Sequence, residues 1–209
     1  MLKKIYNYKF IIFDFDGVIV DSVKIKEEIY CELFSQISTS ELEDIKKYIR
    51  NNSHISREEK IQYIYKNISK NNLKSLEELT KLFPIILFSK LKKIKPIKDI
   101  KKFLNLLNSS RKIIISAAPR SEIIKIIKDN NLEAYFDEIY GSIKEKHLVI
   151  KEFNKSGIQK KQMIFIGDKL SDFNSAEKAG IDFIGRVSEF DPTSFPLETL
   201  TFKEFNEFI

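Results

Sequence analysis

Four short apolar runs, each ending at a polar or charged residue, recur along the chain. They are FIIF before Asp14, KIIIS ending at Ser116, MIFIGD ending at Asp168, and the weaker DFIGR at 182–186. Apolar runs of this length predict buried strands. Helical patterns lie between the later runs, in three segments of which the last two end in glycine, as helices often do. These segments are 120–131, 144–157 and 171–180.

Strands that alternate with helices predict an α/β fold, in which a parallel sheet carries helices on both faces. In such sheets, ligands bind beyond the carboxyl ends of the strands. The polar residues that end the first three runs, Asp14, Ser116 and Asp168, are therefore expected at one edge of the sheet, where a binding site would form.

The stretch from about Asp21 to Lys95 has a different pattern, with no convincing strand. It contains four amphipathic helical segments, at 22–37, 40–50, 57–68 and 75–91. The run FPIILF could pass as a strand, but Pro84 and its helical flanks argue against that. Pro96 marks a boundary. We therefore predict a core domain formed by residues 1–20 and 96–209, with an inserted helical subdomain at 21–95.

The composition argues against a nucleic-acid-binding protein and a membrane-spanning protein, but it does not indicate a particular function. The 209 residues are 43% hydrophobic and 32% charged, and the formal net charge is +6. Most of the basic residues are lysines, and the chain has no compact basic run. This charge is typical of lysines on solvated faces, the alternative being attraction to an anionic substrate, and a nucleic-acid partner is not expected. No stretch approaches the ~18 apolar residues of a membrane span. Cys31 is the only cysteine, which fits a reducing cytosol, so a cytoplasmic location is expected.

Asp14 and Asp16 place two carboxylates in one turn after a buried strand, where they repel each other. A divalent cation would relieve this repulsion, and Mg²⁺ prefers one or two carboxylates together with phosphate and water. In phosphoryl transfer, an aspartate can be the nucleophile and a second one the general acid and base. The alternative is an ordinary turn that closes a strand, since Asp is common in turns.

Three further segments carry candidate chemistry, and each has a structural alternative. Ser116 precedes a predicted helix start and would face an anion there, although a serine in such a loop is common. Lys144 and Lys146 lie near a helix start, where a lysine is unfavourable unless an anion is bound, but the chain is rich in lysine. Asp168 and Asp172 could reach one cation, or the segment could be an ordinary capped helix with Ser171 or Asp168 as the cap.

Together these segments resemble the haloacid dehalogenase-like hydrolases, in the group with a helical cap inserted after the first strand. The resemblance is carried by DFDGVIVDS, SAAP, the lysine region and GDKLSD, which occur in the family order. It implies a Rossmann-like core and Mg²⁺-dependent chemistry on phosphomonoesters. It further implies that Asp14 is the nucleophile and Asp16 the acid/base residue, and that Asp14, Asp16, Asp168 and Asp172 form the metal site.

The resemblance also implies a phosphate-binding set. Ser116 and a lysine match the phosphate-binding positions, and the backbone N–H of Ala117 remains available for the same task. The spacing from Gly141 favours Lys146, with Lys144 as the second candidate. Ala117 departs from the family pattern, in which a hydroxyl residue or glycine often follows the serine.

The expected function is a Mg²⁺-dependent phosphatase that acts on a small phosphorylated metabolite, a sugar phosphate being one candidate, through an aspartyl-phosphate. The alternatives are a sugar phosphomutase of the beta-phosphoglucomutase type and a catalytically idle binding module. Arg57 is a candidate specificity residue, because the stretch at 53–61 is similar to the substrate-recognition loop of capped sugar-phosphate members. Alternatively, Ser56 and Glu59 form a capping box and Arg57 is solvated.

Overall fold

A computed structural model of the chain describes residues 2–52, 55–69, 73–188 and 195–209. Within these residues there are eight strands. They are β1 (Phe10–Phe13), β2 (Val20–Asp21), β3 (Lys95–Pro96), β4 (Arg111–Ile115), β5 (Glu138–Tyr140), β6 (Met163–Gly167), β7 (Asp182–Arg186) and β8 (Thr201–Phe202).

The α-helices fall into an early group of four and a later group that alternates with strands. They are α1 (Val23–Leu33), α2 (Thr39–Asn51), α3 (Arg57–Tyr63), α4 (Leu76–Lys90), α5 (Ile100–Leu106), α6 (Arg120–Asp129), α7 (Lys146–Lys155) and α8 (Leu170–Ala179). A π-helical turn at Ile64–Ile68 continues α3. In the described residues, none of the helices combines the length and the apolar character needed to cross a membrane.

The chain divides into two compact units. One consists of Met1–Asp21 and Lys95–Ile209, and the other of Ser22–Ile94. We call them the sheet unit and the helical unit. The sheet unit contains all eight described strands and the helices α5 to α8, whereas the helical unit contains α1 to α4.

The sheet unit is built on a six-stranded sheet with the order β5-β4-β1-β6-β7-β8. All neighbouring strands in it are parallel. Phe13 is in register with Ile114 of β4 and with Ile166 of β6, so the carboxyl ends of these three strands meet at one edge. The predicted α/β fold with a parallel, Rossmann-like sheet is confirmed.

Helices cover both faces of this sheet, as its apolar strands require. On one face, Ile12 and Phe165 join a fully buried cluster with Ile150 of α7 and Ala176 of α8. On the other face, the ring of Phe13 packs edge-on against Phe103 and Phe136. Since β1 is buried on both sides, it reads as a continuous apolar run rather than an alternating one.

The strands that the sequence did not predict are short. β5 has three half-buried residues, and β8 has only two residues, an exposed Thr201 and a buried Phe202, so neither contains an apolar run. β2 and β3 form a separate two-residue antiparallel ladder, in which Val20 is opposite Pro96. The four predicted strands end where the apolar runs end, so that Asp14, Ser116 and Asp168 follow the last residues of β1, β4 and β6.

In the helical unit, the sequence marks three helix starts with the same device. The hydroxyl oxygens of Ser38, Ser56 and Ser75 each accept a hydrogen bond from the backbone N–H of the glutamate three residues on. The side chain of that glutamate in turn accepts the backbone N–H of the serine. These capping boxes satisfy donors that would otherwise be exposed at each helix start. The run FPIILF lies inside α4, which confirms its prediction as helix despite Pro84.

Candidate active site

The site begins where the central strands end. The N–H of Asp14 donates to the carbonyl of Ile166 at 2.9 Å, so the β1–β6 ladder continues to the first residue beyond the strand. Asp168 comes directly after β6. Because the two strands are parallel and in register, their aspartates emerge side by side at the carboxyl edge of the sheet.

Three carboxylates converge there. Asp14, Asp168 and Asp172 each present one oxygen, and these oxygens lie within 4.8 Å of one another. The three residues are only 7%, 6% and 1% exposed. Asp172 lies in the first turn of α8, where its Oδ2 also accepts the N–H of Lys169 at 3.2 Å. The N-cap of α8 is Lys169, and not Ser171 or Asp168 as the structural alternative had it. The carboxylate of Asp172 accepts the N–H of this N-cap residue and also belongs to the cluster.

Lys146 joins two members of the cluster. Its Nζ lies 2.8 Å from Asp14 Oδ1 and 2.7 Å from Asp172 Oδ1. The side chain is buried because Lys146 is the first residue of α7, whose N-terminal end points to the sheet edge. Lys144 is exposed and precedes the helix. Of the two candidate lysines, only Lys146 lies among the carboxylates.

Two glycines allow the backbone to approach these acids closely. Gly17 has φ +76°, and a Cβ added there would lie 2.2 Å from Asp168 Oδ2. A Cβ at Gly167 would lie 2.4 Å from the Cβ of Asp172. Any side chain at either position would push an aspartate out of place, so the glycines are required by the geometry of the cluster.

The cluster holds more negative charge than its lysine can neutralise. Burial raises the pKa of Asp14 to about 6, and the charges of Asp172 and Asp16 act in the same direction against the opposing effect of Lys146. Burial also raises the pKa of Asp168 to about 8. Although burial alone would lower the pKa of Lys146, the carboxylates of Asp14 and Asp172 outweigh it and raise this pKa.

This charge imbalance fits a divalent metal. The donors are all carboxylate oxygens, the ligand type that hard cations prefer. Ionising three buried carboxylates is costly, because Asp14 and Asp172 share one ammonium and that of Lys169 lies as far as 3.6 Å from Asp168. A bound cation reduces that cost. Asp14, Asp168 and Asp172 can therefore hold a divalent ion.

Ser116 lies at the same edge, one strand away from Asp14. Its N–H donates to the carbonyl of Tyr140 at 2.9 Å, and its Oγ accepts the N–H of Ala118 at 3.1 Å. The next loop is tied to it, because Ile143 donates to the Ser116 carbonyl at 3.0 Å. Ala117 is exposed, and its N–H makes no hydrogen bond to any described residue.

Two predicted site residues are not members of the described carboxylate cluster. Asp16 is half-buried in the turn after Asp14, and among the described residues its carboxylate is not one of the converging group. Arg57 belongs to the helical unit, where it is the first residue of α3 and its guanidinium lies 4.5 Å from the ring centre of Phe83. The predicted capping box of Ser56 and Glu59 is present. Residues 53 and 54 of the same stretch lie outside the described residues.

Sequence reasoning missed two cations at this edge. Lys169 Nζ lies 3.6 Å from Asp168 Oδ2. Arg186, the last residue of β7, donates from Nη1 to the carbonyl of Gly17 at 2.7 Å. The signal for Arg186 was available, because it ends the run DFIGR just as the aspartates end theirs.

A parallel α/β sheet with buried carboxylates and a lysine at its carboxyl edge defines a class of enzyme that works on a charged ligand. A family model of haloacid dehalogenase-like hydrolases matches residues 11–186. The chain belongs to this family and is a hydrolase of that type.

Solved structures show the same fold at low sequence identity. A proposed phosphatase from Clostridium difficile is 23% identical with a TM-score of 0.70, over 90% of this chain and 88% of that one. A predicted phosphoglycolate phosphatase from Haemophilus somnus is 17% identical with a TM-score of 0.76, over 96% of both chains. A proposed beta-phosphoglucomutase from Thermotoga maritima is 16% identical with a TM-score of 0.73, again over 96% of both. No curated protein matches the chain.

Proposed function

We propose that this protein is a Mg²⁺-dependent phosphatase that hydrolyses a small phosphorylated metabolite. The observation that carries the proposal is the convergence of Asp14, Asp168 and Asp172 within 4.8 Å, with Lys146 bridging two of them. Three buried acids and one shared ammonium form a centre suited to a divalent cation and a phosphate. Solved structures of the same fold include proteins named as phosphatases.

In this proposal Asp14 is the nucleophile. Its carboxylate attacks phosphorus, the bond from phosphorus to the ester oxygen breaks, and an aspartyl-phosphate forms on Asp14. Lys146 holds Asp14 Oδ1 at 2.8 Å and so orients the carboxylate for attack. Bound Mg²⁺, held by Asp14, Asp168 and Asp172 and by the Asp16 carbonyl, would neutralise charge on the transferring group.

Asp16 serves as the acid and then as the base. It protonates the departing ester oxygen, and afterwards it takes a proton from the water that attacks the aspartyl-phosphate. Its position supports this role, because it is half-buried rather than enclosed and its carboxylate is outside the carboxylate cluster.

Ser116, the N–H of Ala117 and Lys146 are the proposed phosphate ligands. The hydrogen bonds that tie the Ser116 loop to Tyr140 and Ile143 support this role, because they fix the loop at the sheet edge. Ala117 contributes only its backbone donor, which makes no bond to a described residue. The exposed Lys144 remains the weaker candidate.

The helical unit is the proposed cap, and its residues would select the substrate, with a sugar phosphate as one candidate. Arg57 remains a proposed specificity residue, although its stacking on Phe83 and the adjacent capping box give it a structural role as well. A sugar phosphomutase is the second candidate function, supported by the beta-phosphoglucomutase-like fold neighbour. Phosphorus NMR of the products separates the two, since a phosphatase releases inorganic phosphate.

The test is turnover of a panel of phosphate esters with and without Mg²⁺, in the wild type and in Asp14→Asn. We expect release of phosphate only with Mg²⁺, and a loss of at least about a thousandfold in kcat/KM for the variant. Asp182→Asn is the matched control, because it removes an exposed aspartate at the opposite end of the sheet. Absence of turnover, or full activity in Asp14→Asn, would refute the proposal.

A further inference from the structure

Arg186 occupies an unusual environment for an arginine. It ends β7 at the carboxyl edge of the sheet, one residue beyond Gly185, which is in register with Gly167. It is half-buried, and burial lowers its pKa against the raising effect of Asp168, Asp21 and Glu204. Its Nε is buried without a hydrogen-bond partner in the described residues, and it forms no ion pair within 4.0 Å there.

Among the described residues, the guanidinium of Arg186 hydrogen-bonds the backbone of the turn that carries Asp16. Nη1 donates to the carbonyl of Gly17 at 2.7 Å. Gly17 directly follows Asp16 and lies three residues after Asp14. Its N–H donates to the Val20 carbonyl at 2.9 Å, while the N–H of Ile19 donates to Phe15 at 2.8 Å, so the turn is internally closed.

Gly17 is also the point at which this turn touches Asp168. The space at its Cα is so restricted that an added Cβ would lie 2.2 Å from Asp168 Oδ2. The carbonyl of the same residue is the one that Arg186 holds. A charged donor on one side and a carboxylate on the other therefore fix Gly17 in place.

We propose that Arg186 is a positioning residue, which clamps the Gly17 carbonyl and thereby fixes Asp16 relative to Asp14 and Asp168. This inference rests on the proposed function, in which Asp16 protonates the leaving group. Arg186 itself touches neither substrate nor metal in this role. A hydrogen bond from a charged donor is stronger than a neutral one, which suits a contact that must hold this turn in place.

A kinetic experiment distinguishes positioning from general stability. An alkyl phosphate needs protonation of its leaving oxygen, whereas 4-nitrophenyl phosphate does not. We expect Arg186→Met to lower kcat/KM by about ten- to a hundredfold for the alkyl ester and by no more than about threefold for the nitrophenyl ester. Arg186→Lys keeps the charge without the planar fork and should fall between these limits.

Arg111→Met is the matched control, since Arg111 pairs with Glu138 at the amino end of β4. It should leave the ratio of the two activities unchanged. Equal losses on both esters in Arg186→Met would indicate a merely structural role and overturn the inference, while turnover by the wild type would leave the proposed function standing.

A second measurement does not depend on activity. Backbone hydrogen exchange in residues 15–20 should become at least about tenfold faster in Arg186→Met. The substitution removes the charged hydrogen bond that holds the Gly17 carbonyl, so the turn should open more often. Exchange in Arg111→Met should match the wild type there. Unchanged exchange in Arg186→Met would overturn the inference even if the wild type hydrolysed none of the esters, an outcome that would separately refute the proposed function.

Discussion

The two units of this protein both bury charge, and they do so in opposite ways. In the helical unit, Glu27 is buried and accepts two hydrogen bonds from one guanidinium, from Arg50 Nε at 2.6 Å and Nη2 at 2.8 Å. In the sheet unit, Asp14 and Asp172 share the single ammonium of Lys146, and Asp168 lies beside them. One unit has a balanced pair, and the other has a surplus of acid.

This difference separates a structural ion pair from a binding site. A carboxylate that meets a guanidinium through two parallel hydrogen bonds has its charge matched and needs nothing more. A cluster with surplus carboxylate is unstable by itself, and burial of the unmatched charge raises the pKa of Asp14 and Asp168. In the proposed function, a cation and a phosphate would complete the centre and offset that cost.

After the loss in Asp14→Asn, the largest expected effect comes from removing Lys146, whose ammonium Asp14 and Asp172 share. Lys146→Met should lower kcat/KM by about a hundredfold or more, because it removes both the orientation of Asp14 and a charge facing the phosphate. Lys144→Met is the matched control in an exposed position, and its activity should stay within about twofold of the wild type. A larger loss in Lys144→Met would reverse the assignment of the two lysines.

The pH dependence of stability should reveal the surplus directly in metal-free protein. The folded state raises the pKa of Asp14 from 3.8 to about 6 and that of Asp168 from 3.8 to about 8. Between these values the folded protein binds more protons than the unfolded chain, so stability falls as pH rises. We expect the free energy of unfolding, measured with urea, to be lower at pH 8 than at pH 5 by more than about 1 kcal/mol.

Mg²⁺ should oppose this trend, because it binds the ionised carboxylates and is therefore most stabilising at high pH. Asp168→Asn serves as the control. It should make the metal-free protein more stable than the wild type at pH 8, and it should lose most of the stabilisation by Mg²⁺. A pH profile that is the same with and without Mg²⁺ would contradict the interpretation of the cluster as a metal site.

The smallest effect is expected from the balanced pair. Glu27→Gln removes the charge of Glu27, and the free energy of unfolding should fall by about 1 kcal/mol, a modest value because Arg50 is half-exposed. The kcat/KM should remain within about twofold of the wild type. A large loss of activity together with unchanged stability would show that this pair is more than structural, and the contrast between the units would fail.

The sequence predicted the central part of the fold because burial leaves a strong signal there. β1, β4 and β6 are buried on both faces, so each reads as an uninterrupted apolar run. β5 carries Glu138 and two half-buried neighbours, and its pairing with β4 depends on a partner that is distant in sequence. Such an edge strand has no local pattern by which it could be recognised.

In the candidate site, too, the sequence predicts some residues and does not predict others. The spacing of the motifs singled out Asp14 and Asp168, which directly follow strands, and Asp172, which lies four residues after Asp168 near a helix start. Choosing between Lys144 and Lys146 by geometry required the start of α7, which the sequence defines only to within a few residues. The contact of Arg186 with Gly17 was invisible, since a main-chain carbonyl accepts a hydrogen bond without requiring any particular side chain.

The central place of β1 has a consequence for how the protein is made. Phe10 pairs with Arg111 on one side and with Met163 on the other. Strand β1 can therefore pair with both neighbours only after residues about 100 and 150 positions further along the chain have been synthesised. Pairings between such distant segments slow folding and leave apolar segments exposed meanwhile. The strand that leads to Asp14 is therefore made long before both of its neighbours in the sheet.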